Sequence, residues 1–410
     1  MKQEHSFLMS GGPLLLVLLI DGMGLGLVFP ILNGLIFDKN AQFLSPTLQT
    51  GFIQNLIYGG VVSIFMLCWF FGAAILGDLS DKIGRKKSLL ICLVGAFLSY
   101  ALSAVAVIYH SLTLLIVGRI VAGFTSGSQP IAQAAIIDIS PDQHKTRNIG
   151  FILLALSIGF IVGPLFGGIL SDKNIITWFN FSTPFVFAAL LSLLNIALLW
   201  WLFEETFVTR STTLSINLYH ALTIFISAFR DKDIKNLSII FFLMVLGWSS
   251  FYSFISMFLL KTYHFTPTEV SFYMALMGVG FGIGNGYLSN FLAKLFPLEN
   301  NTIASCIITG IMVLALAFVH SALLAWLLII PIACTVSVAY TSILTLFSNQ
   351  VDASRQGWVM GVSGSIMAFV FGVDGLIIGI LSTWHDVLPI VVSAIFLLIT
   401  GFVTLSFKPA

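Results

Sequence analysis

Charged residues are scarce in this sequence, and their scarcity is the first constraint on its fold. Asp, Glu, Lys and Arg make up 9% of the 410 residues, whereas hydrophobic residues make up 58%. Soluble globular chains are about 25% charged and about 45–50% apolar. Most of the helix surface of this chain therefore cannot face water, which excludes a soluble globular fold. The net charge of +1 gives no indication of a nucleic-acid partner.

Residues for cofactor or covalent chemistry are also missing. The sequence has no Walker-type phosphate loop and no Ser-His-Asp set, and its seven histidines are scattered through tails and loops. The four cysteines lie inside apolar runs without metal-type spacing, where free cysteine behaves as a small hydrophobe. We therefore expect neither an enzyme nor a bound cofactor or metal. Energy for transport would come from an ion gradient rather than from a nucleotide.

Long apolar runs are what the sequence has in abundance. A transmembrane helix needs about 20 predominantly apolar residues. The first run, Gly11 to Phe37, is too long for the apolar part of a signal peptide, so we expect it to stay as a transmembrane helix. The predicted fold is an all-α integral membrane protein with twelve transmembrane helices over approximately residues 11–37, 53–77, 88–108, 111–138, 148–171, 178–203, 236–260, 267–293, 302–319, 321–347, 356–382 and 385–407.

The basic residues predict the orientation of these spans. With the N-terminus in the cytoplasm, 14 of the 18 Lys and Arg residues fall on the cytoplasmic side, and Lys39, Lys173 and Lys261 fall outside. The remaining residue, Arg119, lies within a span. Because cytoplasmic loops of membrane proteins carry an excess of Lys and Arg, this distribution predicts that both termini are cytoplasmic.

The longest polar stretch, residues 204–235, separates six spans from six. We predict an N-terminal six-helix half over residues 1–205, a cytoplasmic linker over 206–235 and a C-terminal six-helix half over 236–410. Residues 214–229 are apolar but too few and too tightly flanked to span a membrane, so we interpret them as an interfacial helix. Many secondary transporters have such halves, with a binding site near the membrane midplane between them.

The loop after the second span carries the most specific motif. Residues 77–87 are GDLSDKIGRKK, which has every defining position of the pattern G-x-L-x-D-[RK]-x-G-R-[RK]. Gly77 would let two helices approach closely, and Gly84 would permit a tight turn. Asp81 can face the positive N-terminus of a neighbouring helix, and Arg85 can pair with a carboxylate. We predict that these residues gate the cytoplasmic side in addition to setting the topology.

This pattern resembles the loop between the second and third helices of the major facilitator superfamily. The resemblance implies the major facilitator fold, in which two six-helix halves form the twelve-helix protein. It also implies that Asp138, at the cytoplasmic end of span four, is the partner of Arg85 and belongs to the same gate.

Span five carries a second motif, G-x-x-x-G-P-x-x-G-G, formed by Gly159, Gly163, Pro164, Gly167 and the glycine that follows. It is similar to a motif of the drug:proton antiporter branch of the superfamily. Glycines four residues apart form a flat stripe for close helix packing, and a proline bends the helix. The resemblance implies a role in gating, and the alternative is a generic packing stripe.

Three further segments resemble the tetracycline-efflux group of twelve-helix antiporters. They are residues 19–30 (LIDGMGLGLVFP), residues 119–123 (RIVAG) and Gln356-Gly357, and the resemblance is clear over residues 15–171 and weaker afterwards. It implies a proton-coupled efflux antiporter for a small organic molecule of drug-like or amphiphilic character. The partners implied are that substrate, protons and the lipid bilayer of a bacterial inner membrane, with the protein acting as a monomer.

Two features depart from this resemblance. After span eight, where a second Gly-Asp-Arg loop is expected, residues 288–291 are LSNF, with Asn in place of Asp. Asp374 in span eleven stands where an uncharged residue is expected. Span eight also has a glycine stripe, which we assign to helix packing: Gly278, Gly282 and Gly286.

Three charged residues lie deep in the predicted spans: Asp21, Arg119 and Asp374. A charge at the bilayer centre costs about 2.5–3.5 kcal/mol on insertion scales, so such residues usually face a cavity, pair and serve a function. We predict that Asp21 is the proton-coupling carboxyl and that Arg119 modulates its protonation, with a static buried ion pair as the alternative. Asp374 is predicted to bind substrate or to be a second titrating group. The alternative for Asp374 is a solvated residue near the outer vestibule.

Uncharged residues complete the candidate substrate site. Gln133 in span four, Trp248 and Tyr252 in span seven and Asn285 in span eight have the aromatic and amide groups that suit an amphiphilic ligand. Helix packing or interfacial anchoring is the alternative for each. Two other functions stay open, because a fold does not fix a function. One is a metabolite or siderophore transporter, for export or uptake symport, and the other is a transport-inactive receptor or scaffold.

The predicted orientation can be tested by cysteine-accessibility labelling. In a variant without the native cysteines, Gln42→Cys should react with a membrane-impermeant thiol reagent added outside. Thr212→Cys should react only after permeabilisation, because the basic residues place 38–52 outside and 204–235 inside. Labelling of both positions from the same side would contradict the six-plus-six arrangement.

Overall fold

The computed structural model of the protein describes residues 2–38, 41–140, 145–206, 219–318, 321–352 and 355–406. Within these ranges all regular structure is helical, with fifteen α-helices, one 3-10 turn at Pro46–Leu48 and one π-helical turn. The part of the chain described here contains no β-strand, which confirms the predicted all-α class.

The first seven helices precede the polar linker. They are α1 (Lys2–Phe37), α2 (Gly51–Ile83), α3 (Arg85–Ile108), α4 (Leu112–Thr125), α5 (Ser128–Asp138), α6 (Lys145–Ile169) and α7 (Thr183–Leu202). The others are α8 (Tyr219–Arg230), α9 (Lys235–Tyr263), α10 (Pro267–Ile283), the π-turn Gly284–Leu288, α11 (Ser289–Leu295), α12 (Leu298–Phe318), α13 (Ala322–Asn349), α14 (Gln356–Leu381) and α15 (Leu388–Leu405).

These helices account for the twelve predicted spans. In the described ranges, nine helices are long and apolar enough to cross a membrane: α1, α2, α3, α7, α9, α12, α13, α14 and α15. A tenth, α6, has a shorter apolar segment over Leu154–Ile169. The remaining two spans are interrupted helices, because α5 follows α4 after two residues and α11 follows α10 through the π-turn. The twelve-helix fold class is therefore confirmed.

The break between α4 and α5 has a local cause. Pro130 lies in the first turn of α5, and proline has no N–H to bond the carbonyl four residues before it. The hydroxyls of Thr125 and Ser126 donate to backbone carbonyls of α4, to Val121 at 2.8 Å and to Ala122 at 2.7 Å respectively. Span four is therefore interrupted near its middle, and Ser128 becomes the first residue of a new helix.

The chain divides into two compact units. Residues 1–49 and 68–218 form unit 1, and residues 50–67 and 219–410 form unit 2. Helix α2 belongs to both, with residues 51–67 in unit 2 and the rest in unit 1. The domain boundaries that we derived from the polar stretch stay a prediction.

The linker contains a short helix, as its apolar run suggested. Helix α8 begins at Tyr219, and residues 207–218 lie outside the described ranges. Its 12 residues are too few to span a bilayer. Within unit 2, α8 packs on α14 through the rings of Phe225 and Phe369, whose centroids are 4.3 Å apart. Arg355, just before α14, forms ion pairs with Asp231 and Asp233 in the turn after α8.

Glycines hold α1 against α6 in unit 1. A Cβ atom added to Gly22 would lie 2.8 Å from the Leu156 carbonyl oxygen, and one added to Gly159 would lie 2.5 Å from that of Leu19. The Pro164 ring packs on Gly26 in the next turn. The span-five motif therefore faces α1 along its length, and its predicted close packing is confirmed.

Three other glycines do not pack as we expected. Added Cβ atoms at Gly77, Gly282 and Gly286 would meet no heavy atom within 4 Å, so the expected close approach is absent at these positions. The glycines that do pack closely are Gly280 of α10 and Gly284 of the π-turn, which lie against α13. The packing prediction for span eight was wrong for Gly282 and Gly286, because glycines alternate along this helix and the sequence alone does not show which row meets a neighbour.

Gly159→Ala should destabilise the protein by about 1–3 kcal/mol, because the new methyl group would clash with the α1 backbone, which cannot move aside cheaply. The matched control is Gly60→Ala, whose methyl group would enter open space and should cost nothing, since alanine is the better helix former. Denaturation of both purified variants in detergent measures the difference. Equal stability of the two variants would contradict the close α1–α6 contact.

Candidate functional site

The centre of the site in unit 1 is the carboxylate of Asp21. The Ser128 hydroxyl, at 2.9 Å from Oδ1 and 2.8 Å from Oδ2, donates to it. Ser128 is buried and begins α5 because of the break in span four. The break thus supplies a neutral hydrogen-bond donor to a carboxylate inside the membrane.

Arg119 and Tyr100 lie in the same polar cluster. Arg119 on α4 is buried, with 8% of its surface exposed. Tyr100 on α3 interacts electrostatically with both Asp21 and Arg119, and its hydroxyl lies against Gly24, one turn after Asp21. The structure therefore brings the two predicted residues together around a shared tyrosine. Their roles in proton coupling stay predictions.

Sequence reasoning missed Ser128 and Tyr100. The proline two residues after Ser128 was a sign that span four is interrupted there. Tyr100 gave no comparable sign, because a single tyrosine in an apolar helix is usually a packing residue.

Asp374 forms the corresponding centre in unit 2. Its carboxylate is buried, with 1% exposed, and it accepts hydrogen bonds from Ser249 at 2.7 Å and Ser250 at 2.8 Å. These serines are neighbours on α9, so the contact joins α14 to α9. The alternative of a solvated residue near the outer vestibule is wrong, because helix packing closes over this carboxyl on all sides.

Two predicted substrate residues lie in an aromatic cluster next to Asp374. The ring of Trp248 is 6.0 Å from that of Tyr252 and 5.6 Å from that of Phe281, measured between centroids. Tyr252 also contacts Phe371 of α14, at 6.2 Å. Because Trp248 and Tyr252 flank the two serines on α9, unit 2 brings three of the predicted residues into one region.

The other two uncharged candidates are amides. Asn285 is in the π-turn after α10, and its Oδ1 atom is buried without a hydrogen-bond partner among the described residues. Single π-turns are frequent at functional sites. Gln133 lies in α5, five residues after Ser128, and is partly buried. Gln133 belongs to unit 1, whereas the aromatic cluster belongs to unit 2.

The loop between α2 and α3 forms a charged cluster centred on Arg85. Its guanidinium lies 2.8 Å from Asp81 and 3.5 Å from Asp138, so the predicted pair with Asp138 is present. Gly84 has a φ of +100°, which favours glycine and confirms the tight turn.

Glu205 is a member of this cluster that sequence reasoning missed. Its carboxylate accepts hydrogen bonds from the backbone N–H groups of Arg85 at 2.8 Å and Lys86 at 3.2 Å. It thus satisfies two of the free N–H groups at the start of α3 and faces the positive end of that helix. The chain returns to this point after α7, which nothing in the local sequence indicates.

Comparison with known proteins agrees with this geometry. The family model of the Major Facilitator Superfamily matches residues 14–373. The chain therefore belongs to the Major Facilitator Superfamily, and it is a membrane transport protein rather than an enzyme.

Two curated relatives are tetracycline resistance proteins. The class C protein of Escherichia coli is 26% identical over 92% of this chain and 92% of its own. The class H protein of Pasteurella multocida is 34% identical over 47% of this chain and 44% of its own. Among solved structures, a D-xylose-proton symporter is similar with a TM-score of 0.74 and 16% identity, over 97% of this chain and 98% of that one. At this identity the structural likeness shows the fold alone.

Glu205→Ala should lower the free energy of unfolding by about 1 kcal/mol, because two N–H groups at the start of α3 lose their acceptor. The matched control is Glu204→Ala, which removes an exposed carboxylate of the same chemistry next to it in the chain. Denaturation in detergent compares the two variants. A control as unstable as Glu205→Ala would show that the loss is not due to the cap.

Proposed function

We propose that this protein is a proton-coupled efflux antiporter for a small organic molecule of drug-like or amphiphilic character. It would act as a monomer in a bacterial inner membrane, with both termini cytoplasmic. The observation that carries the proposal is the Asp21 carboxylate, which lies in a membrane-spanning helix and accepts the hydrogen bond of one neutral hydroxyl, that of Ser128. Such a carboxylate can be neutralised by a proton at much lower cost than it can stay charged in apolar surroundings.

The antiport cycle needs one group at which protonation and substrate occupancy oppose each other. Asp21 can bind a proton from the outside and release it to the inside, and Ser128 remains within hydrogen-bond distance in either form, since a hydroxyl both donates and accepts. Arg119 modulates this exchange through Tyr100, which interacts with both residues. A static ion pair would hold Asp21 ionised throughout the cycle and would remove its capacity to couple.

The relatives support the proposed substrate class. Their names state that they confer resistance to tetracycline, a small organic compound. In this chain, Trp248 and Tyr252 supply aromatic surface, and Gln133 and Asn285 supply amide groups. Such a mixture of apolar walls and few polar groups suits an amphiphilic ligand. Asp374 is the remaining candidate for substrate binding.

The charged loop after α2 is proposed to gate the cytoplasmic side. Arg85 ties the end of α2 to the end of α5 through Asp81 and Asp138. The turn at Gly84 fixes where α3 begins. The glycines and proline of α6 would serve the same cycle by letting α1 and α6 move together as one closely packed pair.

Asp21→Asn should abolish proton-driven accumulation of tetracycline in inverted membrane vesicles while leaving the folded protein intact. The amide is nearly isosteric with the carboxyl but does not titrate. Uptake driven by a tetracycline gradient alone should persist and lose its pH dependence.

Asp172→Asn is the matched control, because it makes the same change in an exposed loop, where the carboxylate caps a turn at Asn174. It should accumulate tetracycline like the unmodified protein. Accumulation by Asp21→Asn at the unmodified rate would show that coupling lies elsewhere.

A further inference from the structure

Asp374 is a charged residue that the resemblance to tetracycline-efflux antiporters does not account for, and it belongs to unit 2, whereas Asp21 belongs to unit 1. We infer that Asp374, Ser249 and Ser250 form a second proton-binding site, built so that the carboxyl can gain or lose a proton without moving its neighbours. Its contribution to the transport cycle rests on the proposed function, whereas the proton binding itself does not.

The hydroxyl groups of this site have two possible partners each. Ser249 Oγ lies 2.7 Å from Asp374 Oδ2 and 3.1 Å from the carbonyl oxygen of Leu246. Ser250 Oγ lies 2.8 Å from Asp374 Oδ1 and 2.9 Å from the same carbonyl. A hydroxyl has only one hydrogen, so each serine donates either to the carboxylate or to the backbone, and rotation about one bond exchanges the two.

This geometry supplies hydrogen-bond partners for the Asp374 carboxyl in both of its protonation states. With the carboxylate ionised, both serines donate to it. When a proton binds to Oδ2, the new O–H donates to Ser249 Oγ, and the Ser249 hydrogen turns to the Leu246 carbonyl. Ser250 continues to donate to Oδ1. Every polar group in the site keeps a partner, and no heavy atom has to move.

Among the described residues of α9 and α14, the Lys or Arg nearest along the helix to the two serines and Asp374 is Lys261. Lys261 is eleven residues after Ser250 on α9, about 16 Å along the helix, and it pairs with Asp386. On the elements packed against α14 within unit 2, the titratable residue types are Lys235, Tyr252, Lys261 and Tyr263 on α9, Tyr58 on residues 51–67 of α2, Cys334 and Tyr340 on α13 and Tyr219, His220 and Arg230 on α8, while α15 carries none.

The ligand of this site is a proton rather than a metal ion. Each carboxylate oxygen is already at hydrogen-bond distance from a serine oxygen, at 2.7 and 2.8 Å. A metal ion between them would push these oxygens apart, because it must bond both. The opposite face of α14 leaves no space, since Gly375 packs on Ser63 and Gly59 of α2.

Infrared titration of the purified full-length protein tests the site directly, because a protonated carboxyl has its own C=O stretching band. We expect the Asp21→Asn variant to keep one titrating carboxyl band that disappears when Asp374→Asn is added. Loss of all membrane carboxyl bands in Asp21→Asn alone, or no change on adding Asp374→Asn, would overturn the proposal. A band that responds to Na⁺ or Li⁺ at fixed pH would also overturn it, in favour of a metal ion.

Variants of the serines keep the test decisive if Asp374→Asn fails to fold. In the Asp21→Asn background, Ser249→Ala with Ser250→Ala should change the frequency of the remaining band, since the hydrogen bonds to the carboxyl are lost. Ser253→Ala is the matched control, because its buried hydroxyl on the same helix has no hydrogen-bond partner among the described residues, and it should leave the band unchanged. A band unaffected by the double serine variant would refute the site.

The number of protons exchanged per substrate distinguishes failure of the second proton site from failure of the proposed function. In proteoliposomes with tetracycline as probe, Asp374→Asn should halve the number of protons exchanged per tetracycline, from about two to about one. An unchanged ratio would overturn a role of the second proton in transport. If the unmodified protein exchanged no protons for tetracycline while the second infrared band was present, the proposed function would fail and the proton site would stand.

Discussion

The energetic cost of a carboxylate inside a membrane-spanning helix is the constraint on which the rest of this structure depends. The chain accepts that cost in each of its two units, at Asp21 and Asp374. In both cases the hydrogen bonds come from serine hydroxyls. A guanidinium in direct contact would stabilise the ionised form permanently, whereas a hydroxyl is compatible with both forms. The group that contacts a buried carboxyl therefore decides its role. With a guanidinium the carboxyl forms a static ion pair, and with a hydroxyl it can exchange protons.

Local irregularities of the helices create these partners. Ser128 begins a helix because Pro130 interrupts span four, and its side chain then reaches across to α1. In unit 2, two consecutive serines lie on a continuous helix, and each can return its hydrogen to the backbone carbonyl of Leu246. Regular helices bury their backbone groups in their own hydrogen bonds, so side chains or breaks have to supply the adaptable donors.

The sequence predicted features with a strong local cause and missed those that depend on tertiary contacts. Twelve apolar runs gave the spans, because a membrane demands length and apolarity. The pair of Arg85 with Asp138 was expected from the resemblance and is present. The cap by Glu205 was missed, since it joins residues 120 positions apart. Close packing in span eight was wrongly assigned to Gly282 and Gly286, because the spacing of small residues along a helix does not show which of them face a neighbouring helix.

Both carboxyl sites share one further property, which links proton binding to helix packing. Asp21 lies on a helix whose other face is fixed to α6 by Gly22 and Gly26, and its carboxylate contacts α5. Asp374 lies on a helix whose other face is fixed to α2 by Gly375 and Gly379, and its carboxylate contacts α9. A glycine face cannot yield without a backbone shift. A change in protonation therefore acts mainly on the opposite contact, between the carboxyl and its serines. Each site thus confines the effect of a proton, which is the loss of one charge and a reversed hydrogen bond, to one helix interface. A difference in free energy between the two protonation states at that interface is what a proton-driven transporter needs if chemistry is to bias conformation.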